Sequence, residues 1–213
     1  MAKISTVADT TNISIEDLGK GVIDLSNMSG ESFDTIQDGM YDTISSGVAA
    51  EKSVDFLTTA VKAAKGGFTD TATSVDGLTT VLNAYGLKTE EVTNIANQMF
   101  IAQNLGKTTF GEMSSSIGNV IPTTAALKVT TSELFSSLAT LTANGIKTSE
   151  AVTGLKAAYS NIAKPSDDAA KMAEKLGLKF NAAHLQSVGW GKFLEEVKKL
   201  MVIQKNCINY LVL

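Results

Sequence analysis

The feature that most restricts how this chain can fold is the spacing of its helix stops. Glycines recur about one short helix apart, and between them apolar residues return every three or four positions. After an irregular, Thr-rich lead-in over residues 1–12, Ser14 reads as an N-cap, with Glu16 and Asp17 in the first turn that follows. Leu18, Val22 and Leu25 share one face of that helix, and Asn27 to Gly30 ends it. Ser32 can cap a second helix with the stripe Phe33, Ile36, Met40 and Ile44, and Gly47 reads as its left-handed stop. A third runs from Val48 to Ala64 with Val54, Leu57, Val61 and Ala64 inward, broken at Gly66-Gly67. Val75, Leu78, Val81 and Leu82 mark a fourth, from about Thr73 to Tyr85, closed by Gly86.

The pattern continues through the second half. Thr89 to Glu91 opens a helix carrying Val92, Ile95, Ala96, Met99 and Ala102, ended by Gly106. Thr109 to Ile121 reads as one helix with Phe110, Met113, Ile117 and Val120 on a face and Pro122 as its breaker. Leu134, Phe135, Leu138 and Leu141 follow, stopped by Asn144-Gly145, and then Val152, Leu155, Tyr159 and Ile162. Pro165 suits the first position of a further helix, with Asp167 and Asp168 in its first turn and an Asp167–Lys171 pair four apart. A last helix from about Lys192 places Phe193, Leu194, Val197, Leu200 and Met201 inward. Strand-type alternation is scarce. The expected fold is all-α, a compact array of short helical hairpins forming a helical bundle or a short solenoid.

The helices also repeat. Ser53-Val-Asp-Phe-Leu-Thr-Thr59 and Ser74-Val-Asp-Gly-Leu-Thr-Thr80 differ at one position. A longer correspondence joins residues 36–60 to 134–158, matching Ile36, Met40, Gly47-Val48, Val54, Leu57 and Ala60 to Leu134, Leu138, Gly145-Ile146, Val152, Leu155 and Ala158. The unit is a helix, a glycine turn and a second helix. Such a hairpin cannot bury its apolar face alone, so successive hairpins must pack on one another.

Composition narrows the chemistry. All 18 basic residues are lysines and the net charge is -4, which argues against nucleic-acid recognition, where a basic face and bidentate arginines are wanted. One cysteine, Cys207, and one histidine, His184, provide neither a disulfide nor a zinc site within the chain. No apolar run reaches the ~18 residues of a membrane span, and the N-terminus lacks a signal-peptide core, so the chain reads as soluble and made in a cytoplasm. Glu90-Glu91, Asp167-Asp168 and Glu195-Glu196 are adjacent on helices, so their carboxylates diverge. Met28, Met40, Met99, Met113, Met172 and Met201 mostly fall on apolar faces and read as core filler, with an adaptable binding groove as the lesser alternative. His184 reads as a residue of the helix surface or core rim. No nucleophile elbow, phosphate loop or metal motif is present, so no catalytic, cofactor or metal residue is assigned. Trp190, set between Gly189 and Gly191, either packs on the last helix or anchors a partner interface; packing is the preferred reading.

Several runs together resemble the core region of phage tail tape measure proteins of the minor-tail type. They are Asp70 to Gly86, Leu105-Gly-Lys-Thr-Thr-Phe-Gly-Glu-Met113, Ser116-Ile-Gly-Asn-Val-Ile-Pro122, Leu138 to Ile146, Leu155-Lys-Ala-Ala158, and Lys164-Pro-Ser166 with Leu176-Gly-Leu178. The resemblance covers about residues 1–199, so that 1–190 is expected to be a tape-measure core-like helical domain and 191–213 a C-terminal amphipathic helix or tail. It implies a structural phage tail component, not an enzyme, without cofactor, whose parent scaffolds the tail tube and sets tail length. The implied partners are tail tube or tail-initiation proteins, with self-association; the implied places are the bacterial host cytoplasm during assembly and then the virion tail. Residues 1–6 resemble an internal segment of the family's pattern and similarity fades beyond Lys199, which suggests a piece of a longer gene, such as a truncated prophage copy.

Two other readings compete. One is a helical-repeat protein–protein interaction adaptor not tied to virions. The other is membrane-active, since Trp190 to Leu213 is amphipathic and carries Lys192, Lys198, Lys199 and Lys205.

Overall fold

The structure is a computed structural model that describes residues 1–211, with side chains described as far as Leu200. Its helices are α1 (Ile15–Ser29), α2 (Phe33–Ser45), α3 (Ala50–Gly66), α4 (Thr71–Tyr85), α5 (Val92–Leu105), α6 (Phe110–Ser116), α7 (Ile121–Ala126), α8 (Thr131–Ala143), α9 (Thr148–Ala163), α10 (Asp167–Lys175), α11 (Ala182–Val188) and α12 (Trp190–Leu211). No strand occurs among the described residues, and the fold is all-α as the periodicity requires.

Side chains start most of these helices. Ser14, Ser32, Asp70, Thr109, Thr130, Ser166 and Asn181 each accept the backbone N–H three residues on, satisfying a donor that the first turn leaves free. At Thr109 and Thr130 the bond is reciprocated by Glu112 and Glu133, which close capping boxes. One kind of corner ends many of them. Gly47, Gly86, Gly145 and Gly177 take positive φ, and the residue after each donates its N–H back across the last turn, as Val48 does to Thr43 and Ile146 to Leu141. Phe68 and Lys128 fill the same position at φ 53 and 56, without glycine.

Packing centres on α4, which lies against α2, α3, α5, α6 and α7. It approaches closely because small residues meet there: a Cβ on Gly77 would lie 2.4 Å from Ser114 Oγ, and one on Gly39 would lie 3.1 Å from Thr71 Cγ2. Ser74 Oγ donates to the Ala60 carbonyl, so its buried hydroxyl is satisfied. The Tyr85 hydroxyl lies 2.9 Å from Thr124 Oγ1 and 2.9 Å from the Val129 carbonyl, tying the end of α4 to α7. Helix α5 carries the stack onward to α8, and α9 packs on α6, α7 and α8.

Several expectations are corrected. Thr109 to Ile121 is not one helix: α6 ends at Ser116, a 3-10 turn spans Ile117–Asn119, and Pro122 sits in the first turn of α7, where a missing N–H costs nothing. Pro165 lies outside α10, because Ser166 takes the cap. Asp167 and Lys171 are not among the ion pairs of the described residues. Phe33 and Leu194 are exposed instead of inward, and Phe56 is fully buried though it fell outside the stripe assigned to α3. Met28 and Met172 are exposed, whereas Met40, Met99 and Met113 fill the core. Helix α11 adds a short turn of helix between Gly177 and Trp190 that the apolar periodicity does not mark. The Met201 side chain lies outside the described residues.

Candidate functional site

Trp190 stands at the point where α12 meets the body of the stack. Its indole is buried, with the ring edge-on to Tyr159 of α9 at 4.7 Å and stacked 6.2 Å from Phe193. The indole N–H donates to Ser137 Oγ at 3.0 Å, so the polar end of the ring is satisfied on α8. The Trp190 backbone N–H donates to Glu133 Oε1 at 2.9 Å, and that of Gly191 to the same oxygen at 3.3 Å. The other carboxylate oxygen of Glu133 accepts from Thr130 N at 2.9 Å. One side chain therefore caps the starts of both α8 and α12. Burial works to raise the Glu133 pKa, but the donors of Thr130, Gly191 and Trp190 outweigh it and hold the carboxyl below its usual range.

Beside the indole runs an apolar groove of about 420 Å³, walled by Ser136, Ser137 and Leu141 of α8, Leu155 of α9 and Leu194 of α12. Leu194 is 44% exposed on its rim. Among the described residues Glu133 is the only charged side chain in its lining, and it is already engaged by the two helix starts. Next to the groove along α8, sharing Ser132 and Ser136 with it, a smaller depression lies against α5, bordered by Ile101 and Leu105, which are 56% and 70% exposed. No residue of α5 is charged. The Tyr159 hydroxyl, beneath the groove, is buried and makes no hydrogen bond among the described residues, and burial pushes its pKa well up.

Other polar groupings are separate. His184 Nε2 and Glu196 Oε2 lie 2.7 Å apart and clip α11 to α12. Asp42 and Asp76 line a polar depression between α2 and α4, where burial and then the Asp38 charge raise the Asp42 pKa. No group of three or more His, Cys, Asp or Glu among the described residues could hold a metal ion. No helix of the described residues is long and apolar enough to cross a membrane.

The pieces of the groove come from residues 132–155 and 190–194. Trp190 was singled out by its glycine neighbours, but Glu133 and Ser137 carry no signal of their link to it, since more than 50 residues intervene. The Thr130–Glu133 capping spacing was the one visible clue that this glutamate has a fixed position.

Comparison with known proteins places these features in a family. The model of the phage-related minor tail proteins matches residues 14–205. A "Probable tape measure protein" of Clostridium phage phiCD119 is 34% identical over 131 residues, covering 60% of this chain and 14% of its own length. The "Tape measure protein" of Pneumococcus phage Dp-1 is 24% identical over 184 residues, covering 86% of this chain and 16% of its own length. The chain thus spans about one seventh of each relative's length. No solved structure matches it. With all but its first residues and its last few inside the family match, this chain belongs to the phage-related minor tail protein family.

Proposed function

We propose that the chain is a folded helical module of a tail tape measure protein, a structural part of a phage tail that meets tail tube or tail-initiation proteins through its helix faces. The observation that carries this reading is the family match over residues 14–205, joined by two relatives whose names are tape measure proteins. It acts in the host cytoplasm while tails assemble and then resides in the virion tail. Nothing in the comparisons favours the adaptor unconnected with virions.

The architecture suits a module better than a ruler. A ruler gains ~1.5 Å per residue only where the helix is continuous, and here the longest helix has 22 residues. The exposed apolar residues Ile101, Leu105 and Leu194 offer contact surface.

Co-expression with the tail tube and tail-initiation proteins encoded beside it tests the reading. Co-purification with at least one of them is expected. A chain that stays monomeric by light scattering and captures none of them overturns it. Deleting the module from a full-length tape gene sharpens the test. Tails should fail to initiate, or shorten by far less than the ~320 Å that 213 residues of continuous helix would span.

A further inference from the structure

The two halves of the internal repeat are superimposable in sequence, and their helix boundaries agree. Ser32 and Thr130 cap α2 and α8, the corners fall at Gly47 and Gly145, and α3 and α9 begin at Ala50 and Thr148. Each position in the second hairpin lies 98 residues after its equivalent, as Leu134 does after Ile36. The hairpins differ in what covers them. In the first, α4 lies across both helices: Thr71 sits on Gly39, and Ser74 bonds the Ala60 carbonyl. The equivalents of Gly39, Thr43 and Leu57 are Ser137, Leu141 and Leu155, and these three line the open groove. The equivalent of the fully buried Ala60 is Ala158, which is only half-buried. The groove is the seat that α4 fills in the first hairpin. In the second it is held at one end by the indole of Trp190.

The chain's own candidate for that seat does not occupy it. Helix α10 follows α9 as α4 follows α3, but it carries Asp167, Asp168, Lys171, Glu174 and Lys175, and only Ala173 of it is buried. None of its residues lines the groove. The first hairpin displays what the seat accepts: an amphipathic helix whose inward face is small and uncharged in its first turn, as at Thr71 and Ser74, then aliphatic, as at Val75, Leu78 and Leu82.

We propose that the groove between α8, α9 and the start of α12 is a docking seat for such a helix supplied by another protein, bound in the manner in which α4 lies on α2 and α3. This inference rests on the internal repeat and the groove, and it stands whether or not the chain works in a tail. Ser136 leaves room for an incoming helix beside the indole, which covers Ser137, and Leu141, Leu155 and Leu194 supply the apolar walls.

The chain's single tryptophan reports the groove directly. The probe is a synthetic peptide of residues 70–86, which is α4 with its cap and stop, titrated into the full 213-residue chain. Saturable change in Trp190 emission is expected. Leu78→Lys in the peptide, or Leu194→Glu in the chain, should each weaken binding more than tenfold, and the partly exposed Leu194 can change without loss of the thermal transition. An unchanged emission up to about millimolar peptide overturns the proposal, as does equal binding by L194E. A Ser136→Cys/Met172→Cys pair, with Cys207 replaced by serine, tests the other occupant: rapid, complete disulfide formation in the isolated monomer would show that α10 closes the seat, and would also overturn it. Light scattering that finds a dimer abolished by L194E would assign the groove to a second copy and overturn it likewise.

Discussion

The hairpins α2–α3 and α8–α9 share one sequence pattern and one set of boundaries, yet one is enclosed and the other is half open. Phe56 shows the difference from one side: it is fully buried, while its equivalent in α9, Gly154, has nothing within 4 Å of where a Cβ would stand. Leu57 and Leu155 show it from the other, one beneath α4 and one on the wall of a groove. A repeated hairpin thus fixes its own shape through its cap and corner, but what covers it depends on the next helix. Where the next helix lays an apolar face across both helices, as α4 does, the core closes; where it stays at the surface with only Ala173 buried, as α10 does, the groove is left open.

The sharpest way to break this contrast is to truncate the matched leucines. Leu57→Ala should cost about 3–4 kcal/mol and Leu155→Ala about 2–3 kcal/mol, since Leu155 is buried too but lines the groove on one side. Urea denaturation measures both, and equal losses would mean that the second hairpin is as fully covered as the first. Glycines come next. Gly77→Ala should cost about 3 kcal/mol, because the added methyl meets Ser114 down to its Cα at 2.8 Å. Gly154→Ala, in open space within a helix, should instead stabilise by about 0.5–1 kcal/mol.

The shared cap follows. Glu133→Gln should cost about 1–2 kcal/mol, as it weakens charge-assisted bonds to two helix starts. Because the folded Glu133 has a lowered pKa, its contribution is present above the ordinary glutamate range and is lost as pH falls through the folded value. Trp190 emission should therefore change in that acid window, and the Gln variant should lack the step. The smallest effect is expected at Tyr159→Phe. Removing a buried hydroxyl with no partner should raise stability by about 0.5–1 kcal/mol, read as a small increase in Tm, without disturbing the edge-on contact with Trp190.

Much of the helical array can be read from the residues because its signals are local. Caps such as Ser14 and Ser32, stripes such as Val75, Leu78 and Leu82, and stops such as Gly47 and Gly145 each act within a few positions. The corners at Phe68 and Lys128 escape such reading, because no glycine marks their positive φ. Pro122 misleads for a related reason: the same ring that ends one helix is well suited to start another, and only the 3-10 turn before it decides which. The candidate site is the least legible part. Trp190 draws notice, but its partners Glu133, Ser137 and Tyr159 are polar or aromatic residues of ordinary helices until the chain brings them together.

The double use of Glu133 has a mechanical consequence. Helix α12 is 22 residues long, about 33 Å, and it is pinned through its first residue to the first turn of α8. The same stretch of α12 is braced by the buried Phe193 and the His184–Glu196 contact, so a load on the helix would be shared between these points and the carboxylate. Strain reaching it would loosen the start of α8 and tilt the indole together, turning a pull on the tail of the chain into a change in the shape of the cleft.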